Sequence, residues 1–204
     1  TFFEPPPVER QIVENQITKS EESSSPSIEE TEPSKKIERS EAIASVSRVK
    51  MENKNIKGSI SLEGAIIDDI TFKNYKVSLD SDQNVILLNP KSSLKGYYIG
   101  TGWGTSGNEK LKLPLDNTIW KVKGNNLLAP NKPIVLEWDN NEGLIFTKKI
   151  ELDDEFLFKI TQNIKNISDK SYKFYPYAQI TRNYKPDVIP IYILHEGFIG
   201  MFDD

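Results

Sequence analysis

His195 is the only histidine of the chain and stands beside Glu196. A hydrolytic triad needs a nucleophile beside such a base, and a zinc site needs three ligands. There is no second His and no Cys to complete either, so His195 reads as a structural or surface histidine. Gly100, Gly102 and Gly104 surround Trp103 in a spacing that superficially matches a phosphate loop. Such a loop must open a helix whose first amides face the anion, whereas a polar stretch runs from Thr105 to Lys112 into Leu113-Pro114. Turn formation and close packing account better for these glycines. Asp68-Asp69 and Asp153-Asp154 are the carboxylate pairs. Adjacent strand residues point to opposite faces, so neither pair is expected to converge on one substrate bond, and both read as turn or edge residues. Tyr172, Phe174, Tyr175, Tyr177 and Tyr184 offer flat faces and hydroxyls for a ligand platform, but core and rim packing explains them as well. Asn166-Ile167-Ser168 matches a glycosylation acceptor and is read as a turn. No catalytic, cofactor-binding or metal residue is assigned, no cofactor is expected, and the chain reads as a non-enzyme.

The elements that must hold these residues are strands. Ile60 and Leu62 alternate with Ser59 and Ser61. The same period of two recurs in Ile134, Leu136, Trp138, in Leu144, Phe146, Ile150, Leu152, and in Phe156, Phe158, Ile160, Ile164. Turn chemistry separates the last three runs, at Asp139 to Gly143 and at Asp153-Asp154, so they form one meander. Asn166 to Lys170 is a further turn. Shorter strands fit Ile66 to Phe72, Val85 to Leu88, Tyr97 to Ile99, Ile119 to Val122, Tyr172 to Tyr177 and Ile191 to Leu194. No stretch after Met51 keeps helical spacing beyond about two turns, so an antiparallel all-β sandwich is expected, its apolar faces buried against each other.

Residues 1 to 50 are different. They contain no Trp, Tyr, Cys or Gly, whereas all three Trp and all eight Tyr follow Met51. Glu4 to Pro7 is stiff, and Lys19 to Glu41 is dominated by Ser, Glu, Pro, Lys and Thr. Such a stretch buries too little apolar area to offset the entropy of ordering it. A disordered linker over 1–50 and a folded domain over 51–204 are expected, with a marginal short helix allowed in Gln11 to Gln16 or Ile37 to Val46. The mean hydropathy of -0.50 agrees with a domain plus a tail. The formal net charge is -4 with basic residues scattered singly, which argues against nucleic acid. No apolar run approaches the ~20 residues that span a bilayer, and no signal-peptide pattern is present. The start at Thr1 and the end at Phe202-Asp203-Asp204 suggest a piece of a longer protein.

The order of segments resembles the periplasmic domain of the YidC membrane protein insertases in their alphaproteobacterial form. The likeness is carried by Gly58 to Ile70 (Gly-Ser-Ile-Ser-Leu-Glu-Gly-Ala-Ile-Ile-Asp-Asp-Ile) with Tyr75-Lys76, by Leu87-Leu-Asn-Pro90, by Gly96-Tyr-Tyr-Ile99 with Gly102-Trp103, and by Leu113-Pro114 with Thr118-Ile-Trp120. It continues through Leu128-Ala-Pro130, Trp138-Asp139, Gly143 to Thr147 and Thr161-Gln162, and then through Asn166, Tyr175-Pro-Tyr177, Arg182 and Ile193 to Gly197. The resemblance implies a β-supersandwich of the galactose mutarotase-like kind, incomplete here and preceded by a linker from a membrane anchor. It also implies a place on the periplasmic side of the bacterial inner membrane. The implied partners are components of the Sec translocon and nascent membrane proteins, and the implied role is scaffold, docking or chaperone-like contact; no functional residue is carried over. Because the supersandwich is also that of mutarotase-like sugar enzymes, a carbohydrate-binding or mutarotase-like module is the alternative.

Overall fold

In the computed structural model, residues 36–105 and 111–185 are described. A short helix, α1 (Arg39–Ala44), precedes strands β1 (Arg48–Glu52), β2 (Ile56–Ser61), β3 (Ile66–Lys76), β4 (Asn84–Leu88), β5 (Tyr97–Thr105), β6 (Lys121–Lys123), β7 (Leu127–Leu128), β8 (Ile134–Asp139), β9 (Leu144–Leu152), β10 (Phe158–Asn166) and β11 (Phe174–Arg182). They form two sheets. One has seven strands, ordered β11-β5-β3-β2-β1-β7, with β4 also on β3; the other has four, ordered β10-β9-β8-β6. Among these strands pairing is antiparallel except for a two-residue parallel contact of β1 with β7.

The three-run meander expected from the alternation forms β8, β9 and β10 of the four-stranded sheet, to which β6 is added. Ile134 sits opposite Ile150 and Trp138 opposite Phe146, while Phe158 faces Leu152 on the next strand. Asn140, Asn141 and Gly143 make the β8–β9 turn, in which Asn140 Oδ1 accepts from the amides of Glu142 and Leu144. Along β9 every second residue, Leu144, Phe146, Lys148, Ile150 and Leu152, is buried. These side chains meet Val49, Met51, Ile56, Ile60, Ile67, Ile70 and Trp103 of the larger sheet, which together form the core of a β-sandwich. Trp103, Trp120 and Phe146 interlock there, with Trp103 5.2 Å from Phe146 and 6.2 Å from Trp120.

Three expectations are adjusted. Regular structure is present before Met51: Ile37 bridges Ser93, α1 is seated through buried Ala42, and β1 starts at Arg48. Alternation of buried Val49 and Met51 with Arg48, Lys50 and Glu52 gives that stretch an apolar edge which average composition hides. Phe156 belongs to the turn before β10 rather than to the strand, and is 46% exposed. Gly100, Gly102 and Gly104 are not a turn, because they lie within β5. Residues 1–35 of the expected linker, the strand expected at Ile191 to Leu194, and His195 lie outside the described residues.

Candidate functional site

An apolar groove opens between the two sheets. Ile56 of β2, Ile70, Phe72 and Tyr75 of β3, and Val85 and Leu87 of β4 form one wall; Phe156 and Phe158 form the other. Its volume is about 390 Å³. Phe72 packs edge-on against Tyr75 at 5.2 Å and against Phe156 at 5.9 Å, so its floor continues the core while Tyr75 and Phe156 form an exposed rim. Only Tyr75 among the lining residues has a polar side-chain atom. The groove therefore offers area to an apolar segment and, beyond the Tyr75 hydroxyl, no side-chain group for proton transfer or metal binding. Ile70, Phe72, Val85, Leu87 and Phe158 were legible as strand members, whereas Ile56 and Tyr75 were not, and Phe156 was read into the strand that it precedes. That β4 and the β9–β10 turn would face each other across the groove was not legible.

Beside the Trp103 cluster lies Lys148, 1% exposed, in a position of β9 that the alternation reserves for an apolar residue. Its Nζ donates to the carbonyl of Thr101 at 2.6 Å and to that of Gly64 at 3.4 Å. It lies 4.9 Å from the ring centroid of Trp120 and 5.8 Å from that of Trp103. Burial pushes the ammonium down to about 8, while carbonyl dipoles and ring faces favour the charged form. One strand over, Gln162 donates to the carbonyl of Gly102 at 2.8 Å. Two polar side chains of the smaller sheet thus hold consecutive carbonyls of β5, whose only register pair with β3 is Ile67 with Ile99. The role is architectural: a clasp between sheets. The sequence signal was a lysine between Phe146 and Ile150 in an otherwise apolar series.

The reading of Asp68-Asp69 as turn or edge residues with diverging side chains is overturned. Both are buried in β3, inside the larger sheet. The register slips between Ser59 and Ile60, which pair with Asp69 and Ile67 and leave Asp68 as the extra residue of a β-bulge. Ile67 and Ile70 keep the core face, and both carboxylates reach the same Ser59–Arg48 pair. Ser59 Oγ donates to Asp69 at 2.6 Å, Arg48 Nε donates to Ser59 Oγ at 2.7 Å, and Arg48 is ion-paired with Asp68. Arg39 of α1 is ion-paired with Asp69. Burial raises the Asp68 carboxyl above its ordinary range, opposed by the charge of Arg48. Two arginines neutralise two carboxylates, so the cluster anchors α1 and has no free acid or base.

Gly102 is covered by the ring of Tyr177, with no room for a Cβ, so close packing rather than anion binding explains it. Asp153 is a turn residue whose Oδ1 accepts from the amides of Glu155 and Leu157. Asn166 likewise accepts from the amide and hydroxyl of Ser168 in an exposed turn. The aromatic set divides: Phe174 packs on Phe146 at 6.0 Å, whereas Tyr175 and Tyr177 are exposed on β11. No cluster of three or more potential metal ligands occurs among the described residues. No helix is long and apolar enough to cross a membrane among them.

A family model described as the YidC periplasmic domain matches residues 48–204. The membrane protein insertase YidC of Pelagibacter ubique (strain HTCC1062) is 43% identical over 206 residues, covering 100% of this chain and 36% of the relative. That of Bradyrhizobium diazoefficiens is 39% identical over 168 residues, covering 82% and 27%. That of Beijerinckia indica subsp. indica is 36% identical over 173 residues, covering 84% and 28%. The chain spans between about a quarter and somewhat over a third of the length of these curated relatives. The carbohydrate alternative is set aside in favour of this match.

Proposed function

The chain belongs to the YidC family, within its periplasmic domain, and from that premise we propose that it is the scaffold and docking portion of a membrane protein insertase. In this reading it faces the periplasm beside the inner membrane, with the Pro-, Ser- and Glu-rich residues 1–35 as its tether. The occupant of the groove is an apolar stretch of a membrane protein awaiting insertion. The observation that carries the proposal is the groove between Phe72 and Phe156, which leaves aromatic and aliphatic area open beside a closed core. Relatives named as insertases supply the client: a hydrophobic segment gains free energy by burying its side chains against that wall. Contact with the Sec translocon belongs to the same proposal and rests on the family alone. No bond is made or broken; the contribution is transient shelter for apolar surface.

The test is binding of a fluorescent, apolar transmembrane-type peptide to the chain. Saturable binding that weakens about tenfold in a Tyr75→Ser, Phe156→Ser variant of unchanged melting temperature supports the groove, because both side chains lie on its exposed rim. Equal binding by the variant, or none by either protein, overturns it.

A further inference from the structure

The ribbon of β5 and β11, at one edge of the seven-stranded sheet, differs in charge from the rest of the chain. Strands β5 and β11 contain no Asp or Glu and one cation, Arg182, and the residues flanking them add Lys95, Lys170, Lys173 and Lys185, with Asp169 next to Lys170, in a chain of formal net charge -4. The strands and these flanks hold six of its eight tyrosines. Cations and rings are interleaved. The Arg182 guanidinium lies 4.1 Å from the ring centroid of Tyr97 and 5.5 Å from that of Tyr184, and Lys173 Nζ lies 5.4 Å from that of Tyr175.

The ribbon is also open. Tyr175, Tyr177 and Ile180 are 46%, 51% and 52% exposed, and every residue between Tyr175 and Ile180 is exposed. Among the described residues β11 pairs only with β5. Pro176, within the strand, removes one amide donor, and Lys173 and Arg182 stand at the two ends of the strand. Both features blunt an edge against the addition of another strand, so a partner is not recruited by main-chain pairing here.

Tyrosine and lysine or arginine together suit the boundary between water and lipid. The ring places its apolar body among the first carbons and its hydroxyl among headgroups, and the long basic side chain reaches phosphate while its stem stays in apolar surroundings. We propose that the β5–β11 ribbon is a surface that lies on anionic phospholipid headgroups. Charge complementarity selects this occupant. In an acidic chain, a ribbon without carboxylates is the part that an anionic surface attracts while the remainder is repelled, which turns this edge toward the bilayer. None of these residues lines the groove, so the inference stands apart from client binding.

The experiment is co-sedimentation of the chain with vesicles of pure phosphatidylcholine and of an equimolar phosphatidylglycerol and phosphatidylcholine mixture, at low and high salt. Binding is expected to the anionic vesicles alone and to fall with salt. Lys173→Glu with Lys185→Glu lowers it on the order of tenfold, and Lys121→Glu with Lys159→Glu, the same charge change on the other sheet, leaves it within about twofold. Each variant is checked for unchanged melting temperature. Equal loss in both variants reduces the effect to net charge and overturns the assignment. So does equal binding to neutral vesicles or absence of binding to either; the last result points instead to an acidic protein as the partner of this edge.

Discussion

The ammonium of Lys148 rests 4.9 Å above the ring of Trp120, inside the sandwich and opposite carbonyl oxygens rather than a carboxylate. A buried cation held this way trades hydration for ring quadrupoles and backbone dipoles. Its worth to stability therefore depends on its charge state.

Burial lowers the folded-state value of Lys148 from the ordinary 10.5 to about 8, so between those values the unfolded chain binds the extra proton. Stability contributed by this group accordingly rises as pH climbs from about 8 towards 10.5, by at most roughly 3 kcal/mol. Urea melts at several pH values should show this rise for the native chain and a flatter profile for Lys148→Met. The variant should be at least as stable at neutral pH, since an apolar side chain of similar length fits the slot. Parallel profiles for the two proteins would remove Lys148 as the titrating group.

Arg48 and Asp68 form a buried ion pair, with side chains 8% and 5% exposed. Arg48→Ala leaves Asp68 buried without its partner and is expected to cost on the order of 3 to 5 kcal/mol. Arg48→Ala combined with Asp68→Ala should cost less than the sum of the single changes. A denaturation double-mutant cycle reads the coupling, and additive costs would mean that the two side chains do not interact.

Gly58 faces the backbone of Asp69 so closely that a Cβ would overlap its carbonyl, whereas a Cβ at Gly100 meets nothing within 4 Å. Gly58→Ala should therefore destabilise by about 2 to 4 kcal/mol or force the bulge to relax, and Gly100→Ala should stay within about 0.5 kcal/mol of the native chain. Similar melting temperatures for the two variants would contradict the close β2–β3 approach.

Amides of β1 and β2 that bond across their ladder should exchange slowly, together with those of β9, because Val49 and Met51 are 2% and 1% exposed and belong to the same core. Exchange of these amides at the rate of an unfolded peptide, with β9 protected, would detach β1 from the cooperative unit.

Several features were decided by sequence alone. Alternation from Ile134 to Ile164 and the Asn-Asn-Glu-Gly turn specify the meander, because side-chain direction and turn conformation are local properties. The ordered segments from Gly58 onward were enough to point to the family. Tertiary structure decided what those strands face. The charge of Arg48 meets Asp68 only because a bulge puts two neighbouring carboxylates on one face. Lys148 is tolerable only because Thr101 and two tryptophans, remote in sequence, surround it. Phe72 and Phe156 make a groove only because two sheets bring their strand ends together. Period and turn chemistry act over a few residues, whereas register, neutralisation of buried charge and the shape left between sheets depend on segments as far as 102 residues apart that meet only when the sandwich closes.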